Sequence, residues 1–232
     1  MVTRVKPGSR ASAAASYNGA SRTQVPAMSE LVANIAHVTP CTEAEGPGRR
    51  FALWFQGCPL RCPGCCNPEM LPFEGGQKVR VAELVAAVCA AQKTHGIEGI
   101  TLLGGEPLAH AAAGAALACE IRQRGLSVMV FTGYTIEEAR ELPDPAVAEL
   151  LEQTDILIDG RYERDQPDTR RRWIGSTNQR IHFLSERYRA DDPCWRQKNT
   201  IEIRLDAGGL SVNGFPARSA VGLWRELPRK TK

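Results

Sequence analysis

Three cysteines in one short loop are the residues of this sequence best suited to chemistry. Cys58, Cys62 and Cys65 follow a Cys-x3-Cys-x2-Cys spacing within residues 57–67, a stretch rich in Gly and Pro. Thiolates are the ligands of iron–sulfur clusters, and a [4Fe–4S] cluster normally takes four of them. We therefore expect these three to hold one [4Fe–4S] cluster and to leave one iron open to a small molecule. Cys66 should diverge from its neighbour Cys65 and line the pocket wall.

A zinc site is the alternative interpretation of the same cysteines. Structural zinc usually takes four ligands from two closely spaced cysteine pairs, and the sequence has no second pair. Cys41 or Cys194 could complete such a site, so zinc stays open as an alternative. Cys89 and Cys119 stand alone in predicted helices, where a small apolar role is expected. Disulfides are disfavoured in the reducing cytoplasm.

A second candidate site follows a predicted strand at residues 99–103. Gly104 and Gly105 would let the backbone approach a ligand closely. Glu106, followed by Pro107, adds a carboxylate that could accept hydrogen bonds from an ammonium group. Turns of this composition are common, so this motif indicates a ligand site only in combination with the cysteine loop.

Two further turns end predicted strands. Thr132-Gly133-Tyr134 and Asp159-Gly160 could be ordinary turns, with Asp159 capping the next segment. In the functional interpretation, Tyr134 contacts an adenine or sulfonium group and Asp159 lies near a ribose or methionine group. Gly64 and Asn67 are further candidates for lining the pocket. None of the four histidines is expected to be a ligand.

The elements that must position these residues alternate between strands and helices. Apolar runs predict strands at 31–38, 50–55, 99–103, 126–131 and 155–158, and helical spacing predicts helices at 79–94, 109–124, 136–142 and 146–153. A strand at 180–184 and a hairpin of 200–205 with 210–213 should follow. This rhythm indicates an α/β fold with a parallel sheet. Since ligands bind at the carboxyl edge of such sheets, the four loops should meet there.

The bulk composition limits the function classes. The chain has 232 residues and a net charge of +3, which is too small to imply nucleic acid, and no aromatic residues alternate with the basic run at 170–172. No stretch approaches the ~20 apolar residues of a membrane span, and no signal peptide is recognisable. We therefore expect a cytoplasmic protein, with mitochondrial targeting by the Arg- and Ser-containing start as a weak alternative.

Three segments are expected from composition. Residues 1–27 should be a disordered tail, residues 28–186 a core domain, and residues 187–232 a C-terminal extension with a short β element.

The motifs together resemble the radical S-adenosylmethionine superfamily. Within it they are most similar to the activating proteins of glycyl radical enzymes, in particular the branch that activates anaerobic ribonucleotide reductases. The resemblance spans residues 34–183 and rests on Cys-Pro-Leu-Arg-Cys-Pro-Gly-Cys (58–65), Leu-Gly-Gly-Glu-Pro (103–107), Thr-Gly-Tyr (132–134), Asp-Ile-Leu-Ile-Asp-Gly (155–160) and Arg-Trp-Ile-Gly-Ser-Thr-Asn-Gln-Arg-Ile (172–181). The chain departs from the family at Cys66, where an aromatic residue is usual, in its N-terminal tail, and after about residue 186.

The resemblance implies a fold, a cofactor and a reaction. The fold would be an incomplete, open (β/α)6-type barrel. S-adenosylmethionine would bind the open iron, with its amino group at the Gly-Gly-Glu loop, and reductive cleavage would give a 5′-deoxyadenosyl radical that abstracts a hydrogen atom. No catalytic Ser, His or Lys is expected. The partners would be an electron donor such as flavodoxin or ferredoxin and a large glycyl radical enzyme.

Two other functions stay open at this stage. The same radical chemistry could act on a small molecule or peptide in a biosynthetic pathway, and the departure after residue 186 favours that rival. A non-catalytic iron–sulfur or zinc module is the third hypothesis, although it leaves the Gly-Gly-Glu loop unexplained.

Overall fold

A computed structural model describes residues 30–206 and 209–215 of the chain. Its main sheet has seven strands: β1 (Val32–Thr42), β2 (Arg50–Phe55), β3 (Gln77–Arg80), β4 (Gly99–Gly104), β5 (Ser127–Phe131), β6 (Ile156–Asp159) and β7 (Arg180–Phe183). They lie in the order β3-β1-β2-β4-β5-β6-β7. The central strands β2, β4, β5 and β6 are parallel, whereas β1 and β3 on one side and β7 on the other pair antiparallel.

Four α-helices connect the strands: α1 (Val81–His95), α2 (Ala111–Gln123), α3 (Ile136–Glu141) and α4 (Pro145–Glu152). Short 3-10 turns occupy Pro68–Met70, Pro107–His110 and Pro193–Arg196. Local sequence explains the helix ends. Gly96 terminates α1 with a left-handed φ of 61°, and Thr135 with Glu138 forms a capping box at the start of α3.

The two faces of the sheet are covered by different parts of the chain. On one face, alternate strand residues such as Leu53, Leu102 and Val130 pack against the helices in the largest apolar cluster. On the other face, Met129 packs with the buried Trp173 from the segment after β6. The period-two alternation of a strand explains why neighbouring residues enter different clusters.

The predicted α/β class is confirmed, together with nearly all the strands and helices. Two details differ. Residues 79 and 80 are in β3, not in α1, because β3 pairs with β1 through its backbone and needs no apolar pattern. The prediction of a (β/α)6-type fold implied about six βα crossovers between parallel strands, but the described residues contain three. The number is smaller because antiparallel strands occupy both sides of the sheet.

A hairpin of β8 (Ile201–Asp206) and β9 (Gly209–Gly214) confirms the predicted C-terminal β element. It contacts the connection between β1 and β2: the Glu43 N–H donates to Glu202 (2.7 Å) and the Gly214 N–H donates to Glu45 (2.7 Å). The proposed boundary between residues 186 and 187 stays a prediction, and the predicted tail at 1–27 lies outside the described residues. No helix in the described part of the chain is long and apolar enough to cross a membrane.

The basic run at 170–172 is divided between surface and interior. Arg170 is exposed, Arg171 pairs with Asp168, and Arg172 is buried with its guanidinium 4.1 Å from the centre of the Trp173 ring. A solvated face is the usual interpretation of such a charge run, and Arg172 does not follow it. The sequence pattern shows the charge but not the aromatic surface that covers it.

Arg50 forms a buried polar centre at the amino end of β2. It is fully buried, and its guanidinium donates to Thr101 Oγ1 (3.1 Å), to the Ile100 carbonyl and to Ser127. The Tyr188 hydroxyl lies 2.8 Å from Ser127 Oγ. This network lies at the end of the parallel strands opposite the cysteine loop.

Candidate functional site

The predicted meeting of four loops at one sheet edge is confirmed by direct contacts. The Gly105 N–H donates to the Phe55 carbonyl (2.8 Å) and the Glu106 N–H donates to the Gly57 carbonyl (2.9 Å), which joins the ends of β4 and β2. The Gly160 N–H donates to the Tyr134 carbonyl (2.9 Å), which joins the ends of β6 and β5. The cysteine loop thus lies at the carboxyl edge of the parallel strands.

Two glycines at this edge allow close packing, and at Gly105 the obstructing atoms are backbone. A Cβ on Gly105 would lie 2.3 Å from the Gly57 carbonyl oxygen, and a Cβ on Gly133 would lie 2.5 Å from Leu60 Cδ1. Leu60 belongs to the cysteine loop and was not singled out from the sequence. Its contact with Gly133 brings that loop against the turn after β5.

The cysteine sulfurs accept hydrogen bonds from backbone N–H groups. The Asn67 N–H donates to Cys65 Sγ at 3.4 Å, and the backbone N–H groups of Leu60 and Arg61 at Cys58 and of Tyr162 at Cys62 act to lower the pKa values of those thiols. Burial raises the pKa values of Cys58 and Cys62 despite these bonds. Such N–H donors stabilise sulfur ligands in their charged form and tune cluster potentials.

Cys66 is exposed at a bend of the chain, next to Cys65. Interaction with the Cys66 thiol, assisted by the Asn67 N–H against the effect of burial, lowers the pKa of Cys65 to about 6. The same interaction raises the pKa of Cys66. The expected divergence of the two side chains stays a prediction, and so does the role of Cys66 as a pocket wall.

The donor set fits an iron–sulfur cluster in chemistry. In residues 30–206 and 209–215, no three His, Cys, Asp or Glu side chains are arranged to hold a metal ion, and the cysteine loop is no exception. In a [4Fe–4S] cluster each cysteine binds a different iron, so the sulfurs surround a cube and do not converge on a single metal ion. Cys58, Cys62 and Cys65 provide thiolates of the type that such a cluster takes.

Glu106 is held by protein groups on the buried side of the site. It is 1% exposed, and its carboxylate accepts hydrogen bonds from the Leu108 N–H (2.9 Å), the Thr132 hydroxyl (2.8 Å) and the Gly133 N–H (2.9 Å). Burial raises the pKa of Glu106 to about 7, although these bonds oppose the shift. Thr132 was part of a predicted turn, but its contact with Glu106 was not foreseen.

Asp159 is fully buried at the end of β6 and is also engaged by protein groups. Its Oδ2 accepts from Arg180 (2.6 Å) and from the Ile136 N–H (2.8 Å), and His182 Nε2 lies 2.9 Å away. Burial alone would raise the pKa of Asp159, but these donors outweigh it and lower the pKa. Arg180 and His182 carried no sequence signal for this role, because antiparallel pairing of β7 with β6 brings them there.

The other predicted pocket residues lie at the same edge. Tyr134 is half-buried, and burial, followed by the charges of Glu106 and Cys58, raises the pKa of its hydroxyl. Gly104 adopts a left-handed φ of 103°, and Pro107 begins the 3-10 turn after Glu106. The remaining predicted residues, Gly64 and Asn67, flank the last two cysteines. Contact of any of these residues with a cofactor stays a prediction.

Comparison with known proteins identifies the class to which this fold and site belong. A family model described as a 4Fe-4S single cluster domain matches residues 44–182. Three relatives bear the name anaerobic ribonucleoside-triphosphate reductase-activating protein. The phage T4 protein is 31% identical over 152 residues, which cover 64% of this chain and 92% of that protein. The Vibrio cholerae protein is 32% identical over 149 residues (62% and 93%), and the Escherichia coli K12 protein is 31% identical over 150 residues (62% and 95%).

The chain belongs to the family of 4Fe-4S single cluster domain proteins and, within it, to the branch of anaerobic ribonucleoside-triphosphate reductase-activating proteins. The resemblance drawn from the sequence motifs is thereby confirmed. The matched region ends at residue 182, so the hairpin β8–β9 lies outside it.

Proposed function

We propose that the chain is a radical S-adenosylmethionine enzyme that generates a glycyl radical on a partner enzyme, an anaerobic ribonucleotide reductase. One [4Fe–4S] cluster would be held by Cys58, Cys62 and Cys65. The observation that carries the proposal is that the loop bearing these three sulfurs lies at the carboxyl edge of the parallel strands, joined there to the Gly-Gly-Glu loop by the Glu106 N–H to Gly57 carbonyl bond (2.9 Å). The names of the relatives support the same function.

The residues of the chain bind and orient, and the cofactors supply the reaction. When bound, the cluster and S-adenosylmethionine supply a 5′-deoxyadenosyl radical by one-electron cleavage of a carbon–sulfur bond, and this radical removes a hydrogen atom from glycine. Backbone N–H groups would stabilise the three thiolates, and the close packing of Gly105 on Gly57 would hold the cysteine loop over the pocket. The proposed pocket is lined by Gly64, Cys66, Asn67, Gly104, Gly105, Pro107 and Tyr134, with the buried carboxylates of Glu106 and Asp159 behind this lining.

The proposed setting follows from the same reaction. The parallel strands and their crossovers would form an incomplete radical S-adenosylmethionine barrel whose open side receives the partner's glycine-bearing segment. The core would extend over residues 28–186, with 1–27 as a tail and 187–232 as an extension. A small electron-transfer protein such as flavodoxin or ferredoxin would supply the electron, in the cytoplasm.

Anaerobic reconstitution tests the cluster and its ligands. We expect about four irons per chain, and loss of the cluster in Cys58→Ala, Cys62→Ala and Cys65→Ala. Cys119→Ala, on helix α2, is the matched control and should retain full iron. A wild-type protein that binds one zinc and no iron would contradict the assignment.

Product analysis tests the reaction. Reduced, cluster-loaded protein should release 5′-deoxyadenosine from S-adenosylmethionine. With a cognate anaerobic reductase, it should produce the doublet electron paramagnetic resonance signal of a glycyl radical. Release of 5′-deoxyadenosine with hydrogen abstraction from a small molecule, and none from the reductase, would favour the small-molecule rival.

A further inference from the structure

Every backbone N–H of residues 132–136, in the turn after β5, donates a hydrogen bond. The amides at 132, 133, 134, 135 and 136 donate in turn to the Ile158 carbonyl, Glu106 Oε2, Thr132 Oγ1, Glu138 Oε2 and Asp159 Oδ2. Buried backbone donors must find acceptors, and here two of the five acceptors are buried carboxylates. These are the same two carboxylates that the sequence suggested as cofactor ligands.

The carboxylate of Glu106 has little capacity left for a ligand. An ionised carboxylate offers about four acceptor positions, and three are taken by Leu108, Thr132 and Gly133. The side chain is 1% exposed, so a ligand ammonium group would have to displace one of these donors. The contacts connect the loop after β4 to the turn after β5.

Asp159 holds the same turn from the other side. Its Oδ2 accepts the Ile136 N–H, which is the first amide of helix α3, and the Arg180 guanidinium donates to both Asp159 oxygens. His182 Nε2 lies 2.9 Å from the same Oδ2. The Gly160 N–H next to it donates to the Tyr134 carbonyl (2.9 Å). Between these anchors, the half-buried side chain of Tyr134 is the group that stays available at the edge of the site.

We propose that Glu106 and Asp159 are positioning residues that anchor the turn 132–136, and that this turn presents Tyr134 to S-adenosylmethionine. The Thr132 hydroxyl connects Glu106 to Tyr134, because it donates to Glu106 and accepts the Tyr134 N–H. The proposal rests on the proposed function for the identity of the ligand. The anchoring itself is a property of the protein alone.

A double-mutant cycle separates anchoring from direct binding. Thr132→Val removes the hydroxyl but leaves the Glu106 carboxylate in place. In Glu106→Gln one of the two carboxylate oxygens becomes an N–H₂ group, which cannot accept a hydrogen bond. Because the Leu108 and Gly133 amides donate to different oxygens, one of them loses its acceptor in either orientation of the glutamine amide. Both variants should bind S-adenosylmethionine about tenfold more weakly in the cluster-loaded protein, the scale of a lost hydrogen bond to a charged group. The double variant should be no weaker than Glu106→Gln, because both changes act through one turn.

Two further variants serve as controls. Thr132→Ser restores the hydroxyl and should return affinity to within about twofold of wild type, a tolerance well below the tenfold that one lost hydrogen bond gives. Thr154→Val removes a buried hydroxyl that donates to the Leu150 carbonyl (2.8 Å), away from the site. It should reduce stability without changing affinity.

Amide hydrogen exchange of residues 132–136 gives a readout independent of activity. In the full-length reconstituted protein these amides should be protected in wild type and exchange at least tenfold faster in Thr132→Val and Glu106→Gln. The proposal would be overturned if amide exchange were unchanged in Glu106→Gln. It would also be overturned if Thr132→Val bound S-adenosylmethionine like wild type and Glu106→Gln did not. If loaded wild-type protein bound no S-adenosylmethionine, the proposed function would fail, and the exchange data would still decide the anchoring.

Discussion

Substituting Gly105 by alanine should displace the cysteine loop by a defined amount. The added Cβ would lie 2.3 Å from the Gly57 carbonyl oxygen and 2.9 Å from the Met70 carbonyl oxygen, whereas ordinary contact begins near 3.4 Å. The obstructing atoms are backbone, so no side-chain rotation relieves the overlap, and Gly57 must move by about 1 Å, the difference between these distances. Overpacking of this kind costs about 1–3 kcal/mol.

The displacement also breaks hydrogen bonds that fix the loop. The Gly57 carbonyl accepts the Glu106 N–H, and the Met70 carbonyl accepts the Gly57 N–H, both at 2.9 Å. Each lost bond adds about 1 kcal/mol, so urea titration should show the free energy of unfolding reduced by about 3–5 kcal/mol in total. Iron content after reconstitution should fall in parallel.

The matched control is Gly114→Ala in helix α2. Its Cβ would approach the flexible end of Leu150 at 3.2 Å and otherwise make ordinary contacts, and alanine favours a helix over glycine by up to about 1 kcal/mol. We expect full iron content and unchanged or higher stability. If Gly105→Ala behaved like this control, the close approach of the two loops would be refuted.

Three further outcomes are expected. Burial raises the pKa of Glu45 from 4.5 to about 8, so the folded state binds the proton more tightly and the free energy of unfolding falls as pH rises through this range. Glu45→Gln should reduce this pH dependence in urea titrations at pH 5–8. The same dependence in Glu45→Gln and wild type would contradict the assignment. Arg50→Leu leaves buried acceptors unpaired and should lower the free energy of unfolding by about 3 kcal/mol without changing iron content, whereas a loss of iron at full stability would oppose a purely structural role. Cys66→Ala should keep about four irons per chain by elemental analysis, whereas a drop would make Cys66 a ligand.

The parallel part of the fold was predictable because its signals are local. Apolar runs such as 99–103 stop at glycine, and the helices between them show period 3.6, so β4 and β5 and their parallel direction followed from the sequence. The edge strand β3 was missed because its residues are largely polar and exposed. Its place depends on backbone pairing with β1, which side-chain patterns do not report.

The segment after β6 shows a second limit of pattern reasoning. Trp173 is fully buried with a left-handed φ of 61°, a conformation that bulky residues rarely adopt. It is held there by the Asn199 side chain, which accepts the Trp173 N–H at 2.7 Å, and by the neighbouring Trp195 ring at 5.2 Å. These contacts cross more than twenty residues, so no window of sequence around Trp173 contains them.

The roles of the two buried carboxylates of the site could not be predicted from sequence motifs. Glu106 and Asp159 each follow a parallel strand, and position at that edge is what made them candidates for a ligand. Whether a carboxylate there binds a cofactor or a backbone amide depends on which donors the neighbouring strands deliver. For Glu106 two of the three donors come from the turn after β5, and the third is the local Leu108 N–H. For Asp159 the donors come from α3 and the antiparallel β7. The donors from other strands and turns depend on the order of strands in the sheet, so the sequence can reveal a cofactor-binding motif without revealing the role of its charged residue.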